Sequence, residues 1–201
     1  MSTLESDPHQ LARWEKRYQD GKTGWDRGAP SPALTSALLG MPRPPARVLI
    51  PACGQGHEVI SLAELGYHVT GVDFAPSALA ALERALSLNG LYAEVLQQDL
   101  LSWDPGEPFD IIYEQTAICA LEPTLWESYA ERLHRWTKPS GFVFGLFMQT
   151  HREGGPPWHV PISRLEELFP RQKWRWPEKP FQTVGHPSGL EEVFITFQRH
   201  A

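Results

Sequence analysis

"RVLIPACGQGHEVISLAELGYHVTGVD", residues 47–73, decides how the rest of the chain is read. It opens on "ARVLIPA", a continuous apolar run of strand length, as a strand covered on both faces requires. A glycine-bearing turn follows, then a helix-like stretch, "HEVISLAELG", then a second strand ending at Asp73. What the turn holds follows from what it lacks. A P-loop needs Gly-Lys-Ser/Thr after its first glycine, and "GQGHE" supplies neither the lysine nor the hydroxyl. A dinucleotide fingerprint needs a third glycine where Val59 stands, to let helix and strand pack closely beside a pyrophosphate. What remains is a nucleoside with a charged tail and no pyrophosphate. Gly54 and Gly56, without a Cβ, let backbone approach such a ligand. Asp73 is placed to accept from ribose hydroxyls, and Asp99, ending the third strand, to meet an adenine amino group. S-adenosylmethionine has these parts: a ribose, an adenine and a zwitterionic tail bearing a sulfonium.

Outward from this unit the chain alternates. Helix "APSALAALERALSLNG" leads to strand "AEVLQQD", then strand "FDIIYEQT", helix "PTLWESYAERLHRWTKP" and strand "GFVFGLFMQ". Strands alternating with helices of this length give βαβ units and a parallel sheet with right-handed crossovers. The end differs: "PISRLEELF" reads as a short helix and "PFQTVGHPSGLEEVFITFQRH" as two strands joined at "HPSG". The expected fold is α/β and Rossmann-like, a seven-stranded, mostly parallel sheet with a C-terminal antiparallel hairpin and helices on both faces.

Composition bounds the function. The 201 residues suit one α/β domain, and a net charge of −6 opposes a nucleic-acid or anionic-membrane partner. No apolar run reaches the ~18–20 residues of a membrane span, and "MSTLESDPHQ" has no signal-peptide character. Cys53 and Cys119 make neither a zinc pattern nor a disulfide framework, so the expectation is a cytoplasmic protein without a bound metal. A monomer is the simplest expectation for oligomeric state. Tryptophan and proline concentrate in the flanks. We therefore expect a single domain over residues 1–201: an N-terminal lid segment (1–40) and a sheet core (41–201) with a substrate-side loop near 151–161.

These residues together resemble a known family, the thiopurine S-methyltransferases with the related plant halide and thiol methyltransferases. "WEKRYQDGKTGWDRG" is similar to the family's N-terminal segment, "VLIPACGQGHEVISLAELGYHVTGVDFAPSAL" to its cofactor core and "FDIIYEQTAICALEP" to its fourth-strand motif. "HREGGPPWHVPISRLEELF" resembles its substrate-side loop and helix. The resemblance implies a class I methyltransferase fold whose N-terminal segment closes over S-adenosylmethionine. It implies that Trp14, Tyr18 and Trp25 line the cofactor site, where a ring quadrupole attracts the sulfonium. It further implies Gly54 at the amino-acid tail, Asp73 at the ribose, Asp99 and the Leu100 backbone at the adenine, and Glu114 near the ammonium group. After that acidic residue, thiopurine enzymes carry Arg and plant halide enzymes Tyr. This chain has Gln115, a neutral amide, so neither acceptor class carries over directly.

The expected reaction is methyl transfer to a small molecule, most simply a thiol. A few per cent of an ordinary thiol is already thiolate at neutral pH, so a strong general base is optional. Glu114 and Gln115 are the catalytic candidates, with His151 a third. Gln115, Pro156 and Trp158 are the acceptor-pocket candidates, the last two from "GGPPW". Thiopurines, methanethiol-type metabolites, sulfide, halides and selenium species stay open as acceptors. A non-catalytic cofactor-binding module is the alternative from another class.

Overall fold

The computed structural model describes residues 8–201. Its elements, in chain order, are α1 (Pro8–Gln19), α2 (Ala33–Gly40), β1 (Arg47–Pro51), α3 (His57–Glu64), β2 (His68–Asp73), α4 (Pro76–Leu88), β3 (Glu94–Gln97) and β4 (Phe109–Gln115). Then follow α5 (Ala117–Ala120), a short 3₁₀ turn, α6 (Trp126–Trp136), β5 (Thr137–Gln149), α7 (Ile162–Leu168), β6 (Trp174–Arg175), β7 (Gln182–Gly185) and β8 (Glu191–Arg199). The strands run β3-β2-β1-β4-β5-β8-β6, with β7 also on β8. β3, β2, β1, β4 and β5 pair in parallel, and β8 is antiparallel to β5 and to both short strands.

The count differs from the seven expected strands for a simple reason. β6 pairs with Gln198 and Arg199 at one end of β8, and β7 pairs with residues 191–194 at the other. Both lie on the edge of β8 away from β5, so one outer lane is split into two pieces. β5 also begins earlier than expected, at Thr137, across a register shift opposite Phe109 and Ile111. The third strand stops at Gln97, which leaves Asp99 in the loop beyond it.

Alternation along the strands builds two cores. Val48 and Ile50 face the layer of α2, α3 and α4, while Leu49 faces the layer of α5, α6 and α7. Ile111 and Tyr113 of β4 join the first core and Ile112 the second. α4 starts on Pro76, whose missing N–H costs nothing in a first turn, and buries Leu79, Leu82 and Leu86 at helical spacing. α6 buries Trp126, Tyr129, Leu133 and Trp136 in the same way against the other face. With both faces covered, the free space lies at the carboxyl ends of the parallel strands, where open α/β sheets bind ligands.

Candidate active site

The turn after β1 sets the site. Gly54 has φ +53° and Gly56 φ +76°, both in the left-handed region that glycine enters without penalty. The Gly54 N–H donates to Asp73 Oδ2 at 2.9 Å, and Asp73 Oδ1 accepts the Ala75 N–H at 2.9 Å. One carboxylate at the end of β2 therefore holds both the glycine turn and the start of α4. Asp73 is buried, and that burial raises its pKa against the pull of these N–H donors. The two glycines then part company. A Cβ on Gly54 would come within 2.9 Å of the Tyr18 hydroxyl, whereas one on Gly56 would come within 2.3 Å of Leu82. Gly54 makes a cradle beneath the N-terminal segment. Gly56 is bare so that α3 can pack on α4, which corrects the ligand-approach role expected from the sequence.

The N-terminal segment closes this space from above. Trp25 meets Trp14 edge-on at 5.2 Å and Tyr18 edge-on at 5.7 Å. The Arg17 guanidinium stands 5.1 Å from the Trp14 ring centre and 5.6 Å from that of Trp25. Four polar ties fix the segment. Glu15 on α1 accepts the Ser77 N–H at 3.0 Å and also its hydroxyl, so α1 supplies the cap that α4 lacks from its own Ala75. Asp26 meets His57 Nε2 at 2.8 Å, Arg27 pairs with Glu192 at 2.7 Å, and the Ser31 N–H donates to Glu58 at 2.8 Å.

A cavity of about 350 Å³ lies between these walls. Trp14, Tyr18, Trp25, Gly54, Asp73, Asp99 and Leu100, the expected cofactor residues apart from Glu114, all line it. Gln115 and Pro156 line it as well. Asp99 also accepts the Leu101 N–H at 2.9 Å, which shapes the loop that presents Leu100. Beyond Gln115 the wall is largely apolar: Cys119, Ala120, Leu121, Met148, Pro156 and Pro157. The backbone is strained at this rim. Ala52, Thr116 and His151, just past β1, β4 and β5, all have positive φ, at 49°, 66° and 53°.

Three expected site residues stand elsewhere. Glu114 is fully buried beneath the wall, where its Oε1 accepts the Ile118 N–H at 2.8 Å and caps α5. The cause is strand alternation: Glu114 and Gln115 are successive residues of β4 and face opposite ways, so only Gln115 reaches the cavity. Trp158 does not line the cavity either. Its backbone N–H donates to Cys119 O at 2.8 Å and its ring fills the space over Gly155, so it pins the loop that places Pro156. His151 is exposed and lies 4.9 Å from the His159 ring, outside the wall. Conversely, the wall includes Arg27, Glu58, Thr116 and His186, which the sequence reading missed. Arg27 sits inside the quoted "GWDRG" and His186 inside "GHPSG", but no local spacing connects them.

Burial pushes the pKa of Glu114 up to about 8, so at neutral pH this carboxyl is protonated in the folded chain. An acid whose folded pKa is raised contributes most stability below its unfolded value, near 4.5, and loses it as pH rises to about 8. The Glu114 contribution to stability should therefore fall between about pH 5 and about pH 9, and Glu114→Gln should remove that fall, making the difference between the two proteins change by on the order of a few kcal/mol across the range. Thermal melts of both proteins across that range check it; parallel curves would contradict it.

The sequence pattern of the thiopurine S-methyltransferase family matches residues 9–187. The chain belongs to that family. It is similar to the probable thiol methyltransferase 2 of Arabidopsis thaliana, 35% identical over 159 residues, 78% of this chain and 70% of the relative. The thiocyanate methyltransferase 1 of Brassica oleracea is 34% identical over the same shares. The thiopurine S-methyltransferase of Vibrio campbellii (strain ATCC BAA-1116) is 28% identical, over 78% of this chain and 80% of that one. In fold, the chain is similar to the 1,6-didemethyltoxoflavin-N1-methyltransferase of Burkholderia thailandensis, solved with S-adenosylhomocysteine. That likeness has a TM-score of 0.75 and 21% identity, covering 100% of this chain and 94% of the other. This member of the family is an S-adenosylmethionine-dependent methyltransferase with the class I fold. Among the described residues, no helix is long and apolar enough to cross a membrane.

Proposed function

We propose that this methyltransferase acts on a small thiol, with the cofactor at the Gly54–Asp73 end of the cavity and the acceptor at the Gln115–Pro156 end. The observation that carries the reading is one continuous cavity. The Gly54–Asp73 bond lies under the Trp14–Tyr18–Trp25 cluster and opens onto the apolar slot of Cys119, Leu121, Met148 and the two prolines. The residues fit the cofactor: Gly54 keeps the turn clear of a side chain, Asp73 is a buried acceptor for ribose hydroxyls, and the aromatic cluster suits a cation. When bound, S-adenosylmethionine supplies an electrophilic methyl group on its sulfonium. Asp99 and the Leu100 backbone hold the adenine side. Burial, and then the Asp73 carboxylate, keep the Tyr18 phenol far above its ordinary range, so it stays a neutral hydroxyl.

In-line transfer to sulfur needs alignment more than acid–base help. The slot excludes water around a soft sulfur nucleophile, and Gln115 orients it with an uncharged amide. Glu114 acts from beneath as a positioning residue, fixing α5 and with it Cys119 and Ala120. Residues 8–40 serve as the lid of a single domain. The same reading places a monomer in the cytoplasm, acting on small molecules and not on nucleic acid; the net charge of −6 and two buried, free cysteines support it. The test is mass spectrometry of the methylated product, with purified protein, S-adenosylmethionine and separate acceptors: aromatic and aliphatic thiols, thiopurines, sulfide, selenite, thiocyanate and iodide. Product from the organic thiols is expected. Product from halide or selenium species alone would replace the thiol reading, and cofactor binding with no product from any acceptor would favour a binding module.

A further inference from the structure

The acceptor end of the cavity has one polar wall, and its groups are incompletely satisfied. Arg27 donates from Nη2 to Glu192 Oε2 at 2.7 Å, with Glu192 fully buried. Arg27 Nε and Glu192 Oε1, both buried, have no hydrogen-bond partner among the described residues. His186 is also buried, at 8% exposure, and Ser188 fixes its tautomer. The Ser188 N–H can only donate, and it lies 3.2 Å from His186 Nδ1. The Ser188 hydroxyl lies 2.6 Å from the same atom. Nδ1 is therefore the acceptor, and the ring proton sits on Nε2. Burial, and then the Arg27 charge, hold this imidazole neutral, with a pKa of about 4. Its Nε2–H is buried and without a partner among the described residues.

Arg27 and His186 line the cavity, so this wall holds two unmatched N–H donors, with the unmatched Glu192 carboxylate oxygen buried behind them. A buried polar group left unmatched is costly, and native structures match such groups with water or ligand. The charges decide which ligand. Arg27 is already neutralised by Glu192, His186 is neutral, and Glu58 adds a further carboxyl near the pair. An extra anion here would meet Glu192 and Glu58 with Arg27 already paired. The cavity's other cations, Arg17 and Lys22, are held on the Trp14 and Trp25 rings and on Asp20. A bare alkyl group would leave both donors unmatched.

Resting on the thiol reading above, we propose that Arg27 and His186, with Glu192 held behind Arg27, form the recognition end of the acceptor site. They select a neutral thiol carrying a hydrogen-bond acceptor, such as a carboxamide, over thiols bearing a carboxylate or only hydrocarbon. Arg27 and His186 are specificity-determining residues in this scheme, and Ser188 positions His186.

The test is calorimetric titration of the full chain, loaded with S-adenosylhomocysteine so that no methyl can transfer. The probes are 4-mercaptobenzamide, 4-mercaptobenzoate and 4-methylthiophenol. The amide should bind at least ~10-fold more tightly than either other thiol, the scale of one or two hydrogen bonds that would otherwise go unmade. Removing Arg27 alone would strand a buried carboxylate, so the informative variants are Arg27→Met with Glu192→Gln, and separately His186→Phe. Each should erase the amide preference, and His186→Phe, which breaks none of the ties that fix the N-terminal segment, should leave S-adenosylhomocysteine affinity unchanged. A wild type that binds all three thiols alike, or a preference that survives both variants, overturns the proposal while the thiol reading stands. A wild type that binds S-adenosylhomocysteine and none of the thiols overturns both.

Discussion

Asp73→Ala should weaken S-adenosylhomocysteine binding by ~100-fold or more, the scale of losing hydrogen bonds to a charged acceptor at two hydroxyls. The same carboxylate holds the Gly54 and Ala75 N–H groups, each at 2.9 Å. Removing it therefore also releases the turn that carries Gly54 and the first turn of α4. Two buried donors lose their acceptor, so stability should drop as well, by roughly 2 kcal/mol. Calorimetric titration separates the effects when run well below the melting transition. A folded Asp73→Ala protein with wild-type affinity would remove Asp73 from the cofactor site.

Gly56→Ala should be the more damaging change to the fold. Its backbone has φ +76°, and an added methyl would stand 2.3 Å from Leu82 Cδ1, with the rest of that branched side chain within 3 Å. Strain in the left-handed region costs ~1–2 kcal/mol and overpacking of a buried contact ~1–3 kcal/mol. Together they predict a loss of about 3 kcal/mol in urea denaturation. Gly90 supplies the internal control, since it has φ +64° but nothing within 4 Å of an added Cβ. Gly90→Ala should therefore show the conformational part alone, about 1 kcal/mol. Equal losses at the two positions would mean that the α3–α4 contact gives way freely and that only backbone conformation matters at Gly56.

These two positions, Gly54 and Gly56, also show how far the sequence could be read. The periodicity of "ARVLIPA" and "YHVTGVD" implies two adjacent parallel strands, and the pairing of Val48 with Val69 and Leu49 with Thr70 bears that out. The glycine turn is recognisable as a ligand cradle. That only Gly54 serves it depends on where Leu82 and Tyr18 arrive in space, which no local pattern encodes. The outer lane was misjudged in number because β6 has two residues, too short for any hydrophobic alternation to show.

The site was legible where chemistry and strand ends coincide. Asp73 and Asp99 were read from expected strand ends, whereas Trp14, Tyr18, Trp25 and Gln115 came from the family resemblance; all of them line the cavity. Glu114 was misplaced because a resemblance matches residues, whereas alternation along β4 decides which of two neighbours faces the cavity. Arg27 and His186 were missed for the opposite reason. Each sits in an ordinary-looking loop, and only the packing of the N-terminal segment against the β7–β8 hairpin makes them one wall.

The central claim is that one cavity carries the cofactor at its Asp73 end and the acceptor at its Gln115 end. A crystal structure of the protein with S-adenosylhomocysteine and an aromatic thiol tests it directly. The account predicts the ribose hydroxyls on Asp73, the adenine beside Asp99 and Leu100, and the thiol sulfur between Gln115 and Pro156, facing the homocysteine sulfur. Cofactor found with its ribose away from Asp73, or a thiol seated outside this cavity, would contradict it.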